Sequence, residues 1–263
     1  MPVIASNEAH QIGRCLRSVK DWCAQIVVVC NDCHDGTETI ARELGAEVYV
    51  HEWHGYRDQK NLCLQYVNQP WVLSLDADEV VTPELRDSIV AFLERFGDGH
   101  GRAGAVNRQQ FFMGRWIRHG ELFPDWQLRL FRPDEARWGG GHVHESVRFE
   151  GKVHRLAGTL EHFADPTCSS RIEKIVPYGD LFLLGQLEKG RRWSLLANVF
   201  RPFWRFVRAY FLKLGFLDGL PGLYLAKVAA FQAFHRYSRL YEYRANDAYR
   251  AQIDRQRQRS DQG

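Results

Sequence analysis

The sequence lacks a long apolar run, a large excess of one charge sign and a full set of zinc ligands at known spacing. No apolar run approaches the ~20 residues that a membrane-spanning helix needs, so we expect no such helix. Cys30 and Cys33 form a C-x-x-C pair without a second pair, and His142 and His144 share one strand face without a third ligand at suitable spacing. We therefore expect no structural zinc site, and reduced thiols at all six cysteines.

The amino terminus also lacks the basic and apolar regions of a signal peptide, which predicts a cytoplasmic protein. The net charge of +3 over 263 residues is too small to indicate nucleic-acid binding. What the sequence does have is an ordinary globular composition, with 45% hydrophobic and 25% charged residues. A chain of this length buries a sizeable core in one domain, or in one domain with an appendage.

Short apolar runs alternate with helical patterns in the first part of the chain. Runs of strand length occur at residues 25–29, 47–50 and 71–75, after a short first strand that ends at Ala5. This alternation predicts an α/β fold with parallel strands and helices on both faces of the sheet. Ligands bind such sheets at the carboxyl ends of the strands.

The pattern changes after residue 104. Four further strands, separated by polar and aromatic loops, predict that the sheet becomes mixed, and Gly139–Gly141 is typical of a flexible joint. From Ile172 the chain has a helical pattern rich in arginine and aromatic residues, broken at Gly219 and Gly222, with a polar tail after Asn246 that we expect to fray. We predict a catalytic domain over residues 1–165 and a helical region over 166–263. The helical region is either an interfacial membrane helix or a hairpin packed on the core.

The most informative stretch runs from Trp71 to Glu79, where a buried strand ends at three carboxylates in four residues. Alternate residues of a strand point the same way, so Asp76 and Asp78 are expected to face one spot. A divalent cation such as Mg²⁺ or Mn²⁺ relieves the repulsion between them and also binds diphosphate oxygens. The alternative is an acidic turn in which Asp78 or Glu79 caps the helix that begins at Pro83.

Several stretches together resemble the family 2 glycosyltransferases of the GT-A fold, over roughly residues 3–246. More narrowly, they resemble bacterial enzymes that add a β-linked hexose to the inner core of lipopolysaccharide. The stretches that carry the resemblance are Ser6-Asn7-Glu8, Ile26–Val29 with Asp35-Gly36-Thr37, Trp53–Tyr56 with Gln59-Lys60-Asn61, Trp71–Glu79, Pro124–Phe131, His144-Glu145 and Gly215–Gly219.

The resemblance implies an inverting transfer of a hexose, most simply glucose, from a UDP-sugar to a heptose of the lipid-linked core. It implies a peripheral enzyme on the cytoplasmic face of the bacterial inner membrane, with Mg²⁺ or Mn²⁺ as cofactor and no nucleic-acid partner. The residues that it assigns to donor binding are Ser6, Asn7, Glu8, Asn31, Asp32, Gln59, Lys60, Asn61, Asp76 and Arg129. Many relatives have an aspartate directly after the second strand to bind uracil, whereas this chain has Cys30-Asn31-Asp32.

Within that scheme each candidate has an expected role. Asp78 is the direct metal ligand, Asp76 contacts the ribose or the metal through water, and His162 either adds a metal ligand or is structural. The base that activates the acceptor hydroxyl is Asp125 or Glu145, with Asp125 narrowly favoured. Lys60 approaches the donor phosphates or is a solvated helix residue. Arg129 pairs with the diphosphate or with a core carboxylate.

Two other classes of protein were weighed against a glycosyltransferase. A sugar-nucleotide pyrophosphorylase shares the sheet type but carries a glycine-rich phosphate loop near its amino terminus, and Ser6-Asn7-Glu8 is not such a loop. A non-catalytic membrane-surface protein with a degenerate nucleotide fold would not need to keep both Asp76 and Asp78. Metal-dependent binding of UDP separates this second class from an enzyme.

Overall fold

A computed structural model describes residues 1–140, 145–164 and 167–260, and the chain divides into two compact units. The first unit comprises Met1–Gln110 and Pro124–Ala164. The second comprises Phe111–Phe123 and the chain after Ala164. A segment from inside the expected catalytic domain thus belongs with the C-terminal helices. The expected boundary at residues 165 and 166 lies outside the described residues.

The secondary structure follows the alternation of the sequence. The strands are β1 (Pro2–Ala5), β2 (Val27–Cys30), β3 (Glu47–Val50), β4 (Val72–Leu73), β5 (Glu79–Val81), β6 (Arg102–Phe112), β7 (Arg115–Trp116), β8 (Asp125–Phe131), β9 (Ala136–Gly140), β10 (Glu145–Phe149) and β11 (Lys152–His162). The helices are α1 (Ile12–Arg17), α2 (Thr37–Glu43), α3 (Tyr56–Gln65), α4 (Pro83–Phe96), α5 (Cys168–Glu173), α6 (Ile175–Glu188), α7 (Leu195–Val207), α8 (Gly219–Ala245) and α9 (Asp247–Ser260).

A parallel sheet in the order β1-β2-β3 forms the amino-terminal part of the first unit. Consecutive residues of β2 face opposite sides: Val27 and Val29 pack with Cys63 of α3, while Val28 and Cys30 join the core that includes α1 and α2. Because both faces are covered, β2 is completely buried and reads as a continuous apolar run. The predicted α/β class, with helices on both faces, is confirmed.

The second sheet has the order β4-β8-β6-β11-β5 and is mixed, as expected. We expected the fourth strand to extend the parallel sheet, but β4 has only two residues and pairs antiparallel with β8. Its continuation stays next to β1 through one hydrogen bond from Leu75 N to Pro2 O, 3.3 Å. Asp76 and Asp78 therefore lie in the connection between β4 and β5, the two end strands of this order, and Glu79 is the first residue of β5.

The hairpin of β9 and β10 corrects one expectation. Gly139 and Gly140 are not a joint, since they pair with Ser146 and Glu145 in an antiparallel ladder. A Cβ atom on Gly139 would lie 2.6 Å from Arg148 Cγ, so a glycine fits where a larger residue would not. Gly141, His142 and His144 lie outside the described residues.

The start of α4 corrects another expectation. Its cap is Thr82, whose hydroxyl accepts a hydrogen bond from Leu85 N, and Pro83 occupies the first helical position. Neither Asp78 nor Glu79 caps this helix. The acidic turn therefore needs a different explanation.

The second unit consists of helices that pack around α8, which runs unbroken from Gly219 to Ala245. The predicted break within residues 219–222 is wrong because these residues start the helix. The tail also does not fray after Asn246: it forms α9, whose Ile253 is buried with Leu183 and Leu240. Asp218, just before α8, is 1% exposed and accepts hydrogen bonds from the backbone N–H groups of Arg118 and His119.

Among the described residues, no single helix has the length and apolar character to cross a bilayer. One pair of helical segments, Leu195–Leu212 and Gly215–Ala245, bent by 71° between them, meets both criteria together.

Candidate active site

Asp76 follows β4 directly and is held by two cations. Its Oδ1 lies 2.9 Å from Lys60 Nζ, and its Oδ2 accepts a hydrogen bond from Arg129 Nη2 at 2.6 Å. Burial alone would raise the pKa of Asp76, but the charges of Arg129 and Lys60 outweigh it and hold the pKa well below its usual range. Asp76 is thus an anion whose two oxygens both already have a cationic partner.

Glu79 is completely buried and shares Arg129 with Asp76. Its Oε1 lies 2.6 Å from Arg129 Nη2, and its Oε2 accepts the Asp76 N–H at 2.9 Å. Burial raises the pKa of Glu79, and the Arg129 charge offsets part of that rise. The Arg129 pKa is itself raised, since the Asp76 and Glu79 charges exceed the effect of burial. Glu79 is therefore the internal counter-ion that fixes Arg129 beneath Asp76.

Arg129 is not fully satisfied by these partners. Its side chain is 4% exposed, and its Nε and Nη1 have no hydrogen-bond acceptor among the described residues. A buried N–H without an acceptor costs about 1–3 kcal/mol. Of the two expected roles, the contact with core carboxylates is present, and two donor groups of Arg129 remain available to a further acceptor.

Arg108 extends the charged network towards Asp125. Arg108 Nη1 lies 3.5 Å from Glu79 Oε1, and both Nε and Nη2 lie 2.8 Å from Asp125 Oδ2. The other oxygen of Asp125 accepts a 2.6 Å hydrogen bond from Gln127 Nε2. Asp125, the first residue of β8, has 32% of its side chain exposed. Its carboxylate is therefore oriented by three hydrogen bonds while remaining open to solvent.

Lys60 lies in the second turn of α3 and is 7% exposed, so it is not a solvated helix residue. Besides Asp76 it contacts Glu145 Oε1 at 3.3 Å, and its ammonium group lies 4.2 Å from the centre of the Trp138 ring. The structure thus brings Lys60, Asp76, Arg129 and Glu145 into one cluster. Glu145 is thus paired with Lys60, whereas Asp125 is paired with Arg108.

Asp78 and His162 form a separate pair. Asp78 Oδ2 lies 3.3 Å from His162 Nε2, and their side chains are 18% and 12% exposed. Among the described residues, no three side chains of His, Cys, Asp or Glu converge as a metal site. Mg²⁺ usually binds through one or two protein ligands, with substrate phosphates and water completing its shell. A carboxylate oxygen and an imidazole nitrogen that converge at a partly open position fit such an ion, whereas Asp76 has no oxygen left unpaired.

The loops after β1 and β2 are joined to each other. Asn7 donates to Asp32 O and accepts from His34 N, and the Glu8 N–H donates to Thr37 Oγ1. Asn7 and Asp32 both have positive φ, at 54° and 47°, which asparagine and aspartate tolerate better than most residues. The carboxylate of Asp32 is exposed and lies 2.8 Å from His34 Nε2. Ser6 is exposed as well.

Two further residues of this region have local partners. Asn31 donates to His51 O at 3.1 Å, which ties the end of β2 to the end of β3. Burial raises the pKa of the Glu8 carboxyl, and the nearby charge of Asp78 adds to that rise. Glu8 is therefore close enough to Asp78 for the charges of the two carboxyl groups to interact.

The remaining α3 candidates have structural surroundings. Asn61 exchanges two hydrogen bonds with the backbone of Trp138, at 2.9 and 3.0 Å, and so fixes β9 against α3. Gln59 is 1% exposed, and neither of its side-chain polar atoms has a protein partner among the described residues. Gln59 is therefore closed to solvent in this structure, whereas Asn61 is half-buried and its amide is used by Trp138.

Sequence reasoning missed Arg108 and Trp138 and undervalued Glu79. Arg108 lies in a run of four polar residues, 107–110, in the middle of the mostly buried strand β6, and a charged residue at such a position indicates a buried partner. Glu79 opens a short strand that pairs with β11, which places its carboxyl group in the core. The pattern of the sequence could have indicated Arg108, but it could not have indicated the buried position of Glu79.

The comparison with known proteins agrees with this geometry. The family model for glycosyl transferase family 2 matches residues 3–155, and the chain belongs to that family. The lipopolysaccharide core biosynthesis glycosyltransferase LpsC of Rhizobium meliloti is 30% identical over 247 residues, which cover 91% of this chain and 90% of LpsC. An uncharacterized glycosyltransferase of Rickettsia typhi is 28% identical over 251 residues, covering 91% and 85%. The predicted family is confirmed.

Solved structures are more distant. Residues 1–349 of Staphylococcus aureus TarS give a TM-score of 0.45 at 13% identity, covering 90% of each chain. Glucosyl-3-phosphoglycerate synthase from Mycobacterium tuberculosis, in complex with Mn²⁺, UDP and phosphoglyceric acid, gives a TM-score of 0.33 at 21% identity, covering 43% of this chain and 42% of that one.

Proposed function

We propose that this glycosyltransferase moves a hexose from a UDP-sugar to a heptose of the lipopolysaccharide core, with inversion and with Mg²⁺ or Mn²⁺ as cofactor. The observation that carries the proposal is the cluster of Lys60, Asp76, Arg129 and Glu145 and, two residues after Asp76, the pair of Asp78 with His162, in a chain 30% identical to a lipopolysaccharide core glycosyltransferase. The enzyme would act at the cytoplasmic face of the inner membrane, where a lipid-linked acceptor is available.

The donor end of the reaction needs positive charge near the leaving diphosphate. Lys60 and Arg129 supply two fixed cations, and the unpaired N–H groups of Arg129 give it capacity for a further acceptor. Asp78 and His162 would hold the divalent cation, which offsets the negative charge that develops on the diphosphate. Asp76 keeps Lys60 and Arg129 in position. It can accept a hydrogen bond from a ribose hydroxyl if Lys60 shifts towards the phosphates.

The acceptor end needs a base. Asp125 fits because its carboxylate is held by Arg108 and Gln127, is partly exposed, and has a lone pair left on Oδ1 to take the proton of the acceptor hydroxyl. Glu145 is the second candidate, and its proximity to Lys60 instead suits a role in holding that cation.

A donor screen tests the function itself. Purified protein, Mn²⁺, a panel of nucleotide sugars and a heptose-bearing core acceptor are combined, and products are read by mass spectrometry. A product that gains one hexose from a UDP-sugar is expected. Calorimetry in the same buffer should show UDP binding that disappears on chelation of the metal. Absence of both transfer and metal-dependent UDP binding would leave only the non-catalytic alternative.

The base is tested by a pair of isosteric variants. Asp125→Asn is expected to lower kcat by about 10²–10⁴-fold with little change in KM, because proton abstraction is lost while acceptor binding remains. Glu145→Gln should lower kcat by much less and change donor affinity instead. Melting temperatures of both variants control for the loss of the Arg108 and Lys60 contacts. The opposite pattern of kcat losses would assign the base to Glu145.

A further inference from the structure

Helix α7 of the second unit presents its apolar residues outwards. Leu195, Val199 and Phe203 recur every four residues and are each 62% exposed, while Leu196 and Phe200 on the same side are 81% and 60% exposed. Spacing of this kind places the five side chains on one face of the helix. An exposed face of large apolar side chains is uncommon unless something covers it.

The opposite side of α7 is polar and packs inwards. Asn198 is 8% exposed and exchanges hydrogen bonds of 3.4 Å with Ser238 of α8. Further along, Arg205 and Arg208 both bind Glu121, at 3.0 and 2.7 Å. Asn198 and Arg205 of helix α7, and Arg208 directly after it, therefore make contacts within the second unit, while the five most exposed apolar side chains of α7 point away from these contacts.

The exposed apolar surface continues beyond α7. We call these residues, together with the five of α7, the apolar strip: Phe211, Leu212, Leu214, Phe216, Leu217 and Leu220. Their exposed fractions lie between 43% and 67%. Trp204, at 47%, is also exposed in this region, and tryptophan is enriched at the level of lipid headgroups.

Basic residues accompany the apolar strip, and two of them, Arg205 and Arg208, are paired with Glu121. Between Lys189 and Leu217 the sequence contains seven Lys and Arg residues and no Asp or Glu. The cations are Lys189, Arg191, Arg192, Arg201, Arg205, Arg208 and Lys213. Long basic side chains can lie along an apolar surface while their charged ends reach an anionic layer.

The charge decides which partner covers the strip. Arg205 and Arg208 are paired with Glu121, and a second copy of this chain would bring the other five cations against the same five, which disfavours self-association through this face. A spanning orientation is also disfavoured, because the first segment of the bent pair, Leu195–Leu212, contains Arg201, Arg205 and Arg208, and charged side chains in the hydrocarbon core are costly. An apolar helix face with flanking cations suits the headgroup boundary of an anionic bilayer.

We propose that the apolar strip and its flanking cations dock the second unit, in the plane of the membrane, onto a leaflet rich in anionic phospholipid. The inference rests on the proposed function for the reason why this enzyme meets a membrane, since a lipid-linked acceptor lies there. The surface itself is defined by exposure and charge alone.

Vesicle sedimentation of the full chain tests the docking. The protein is mixed with vesicles of phosphatidylglycerol and phosphatidylcholine, or of phosphatidylcholine alone, at low and high salt. We expect binding to the anionic vesicles that weakens with salt. Phe200→Asp with Phe203→Asp should weaken it at least 10-fold, and Arg191→Glu with Arg192→Glu should remove the preference for anionic lipid. Val50→Asp, at a 57% exposed valine of β3, is the matched control and should bind as the unmodified protein does.

Each outcome decides the matter. Absence of binding to anionic vesicles, or equal binding by the Phe200/Phe203 variant with unchanged circular dichroism, overturns the docking proposal. If the unmodified protein is a dimer in size-exclusion chromatography and the Phe200/Phe203 variant is a monomer, the strip is assigned to contact with a second copy instead. Transfer to a water-soluble heptose acceptor is measured in parallel. Vesicle binding without transfer would count against the proposed function alone, whereas transfer without vesicle binding would count against the docking alone.

Discussion

Asp78→Ala is expected to abolish sugar transfer while leaving the protein folded. The Asp78 side chain contacts His162 and is partly open, so its removal breaks no buried ion pair, and the hydrogen bond from Phe163 N to the Asp78 carbonyl oxygen is retained. Loss of a ligand that positions the cation forfeits several kcal/mol of charge stabilisation, or about 10³-fold in kcat. Steady-state kinetics at saturating Mn²⁺ measure this loss.

The control for Asp78 is an aspartate with no neighbour in the site. Asp134→Ala removes a carboxylate that is 56% exposed and pairs with Arg132, and it should change neither kcat nor UDP affinity. Calorimetry adds a second readout, since the Asp78 variant should lose the metal-dependent part of UDP binding and His162→Ala should reduce it. Full activity of Asp78→Ala with metal present would contradict the central assignment.

Arg129→Met is expected to destabilise the protein by about 3–5 kcal/mol, the range for breaking a buried ion pair from one side. Among the described residues, the completely buried Glu79 would keep Arg108 at 3.5 Å as its cationic partner together with the Asp76 N–H, and Asp76 would keep Lys60. Arg132→Met, one residue beyond β8, is the matched control. It removes a pair with the exposed Asp134 and should cost less than about 1 kcal/mol. Urea denaturation at pH 7 measures both.

The pH dependence of this loss has a definite sign. In the unmodified protein the depressed pKa of Asp76 contributes stability above its unfolded pKa of about 3.9, and this contribution is lost as the pH falls towards the folded value. In Arg129→Met the already raised pKa of Glu79 should rise further, because its main compensating charge is gone. Folding then takes up a proton, so the difference in stability should shrink as the pH is lowered from 7 towards 5. A difference independent of pH would mean that Arg129 acts through packing and not through its charge.

Local patterns in the sequence were sufficient for the fold class and for the place of the site. The alternation of apolar runs and helical spacing identifies β1 to β3 with their helices, and the abrupt change from Leu75 to Asp76 marks the sheet edge. The two aspartates do reach that edge, but with different partners: Asp76 contacts cations and Asp78 contacts His162. Spacing along a strand cannot distinguish these outcomes. Arg129 lies 53 positions after Asp76, and His162 lies 84 positions after Asp78.

The network beneath Asp76 was harder to foresee. Arg129 and Arg108 reach Glu79 only because β8, β6 and β5 are brought together by the strand order of the second sheet, which local periodicity does not encode. Glu79 sits directly after two other acids and so was interpreted as a cap, whereas Thr82 provides the cap and Glu79 enters the core. The outward apolar face of α7 is similar: the pattern reveals an amphipathic helix, but only burial shows which side faces the protein.

The hydrogen bonds that Asp218 accepts limit where this chain can be truncated. Asp218 binds the backbone of Arg118 and His119, and Phe112 and Ile117 are buried against Leu225 of α8. The residues at the far end of β6 therefore depend on helices that are synthesised roughly a hundred residues later. A protein shortened after Ala164 would keep Asp76 and Asp78 but would expose Phe112 and Ile117. The C-terminal helices are therefore needed to cover apolar residues that come from the middle of the chain.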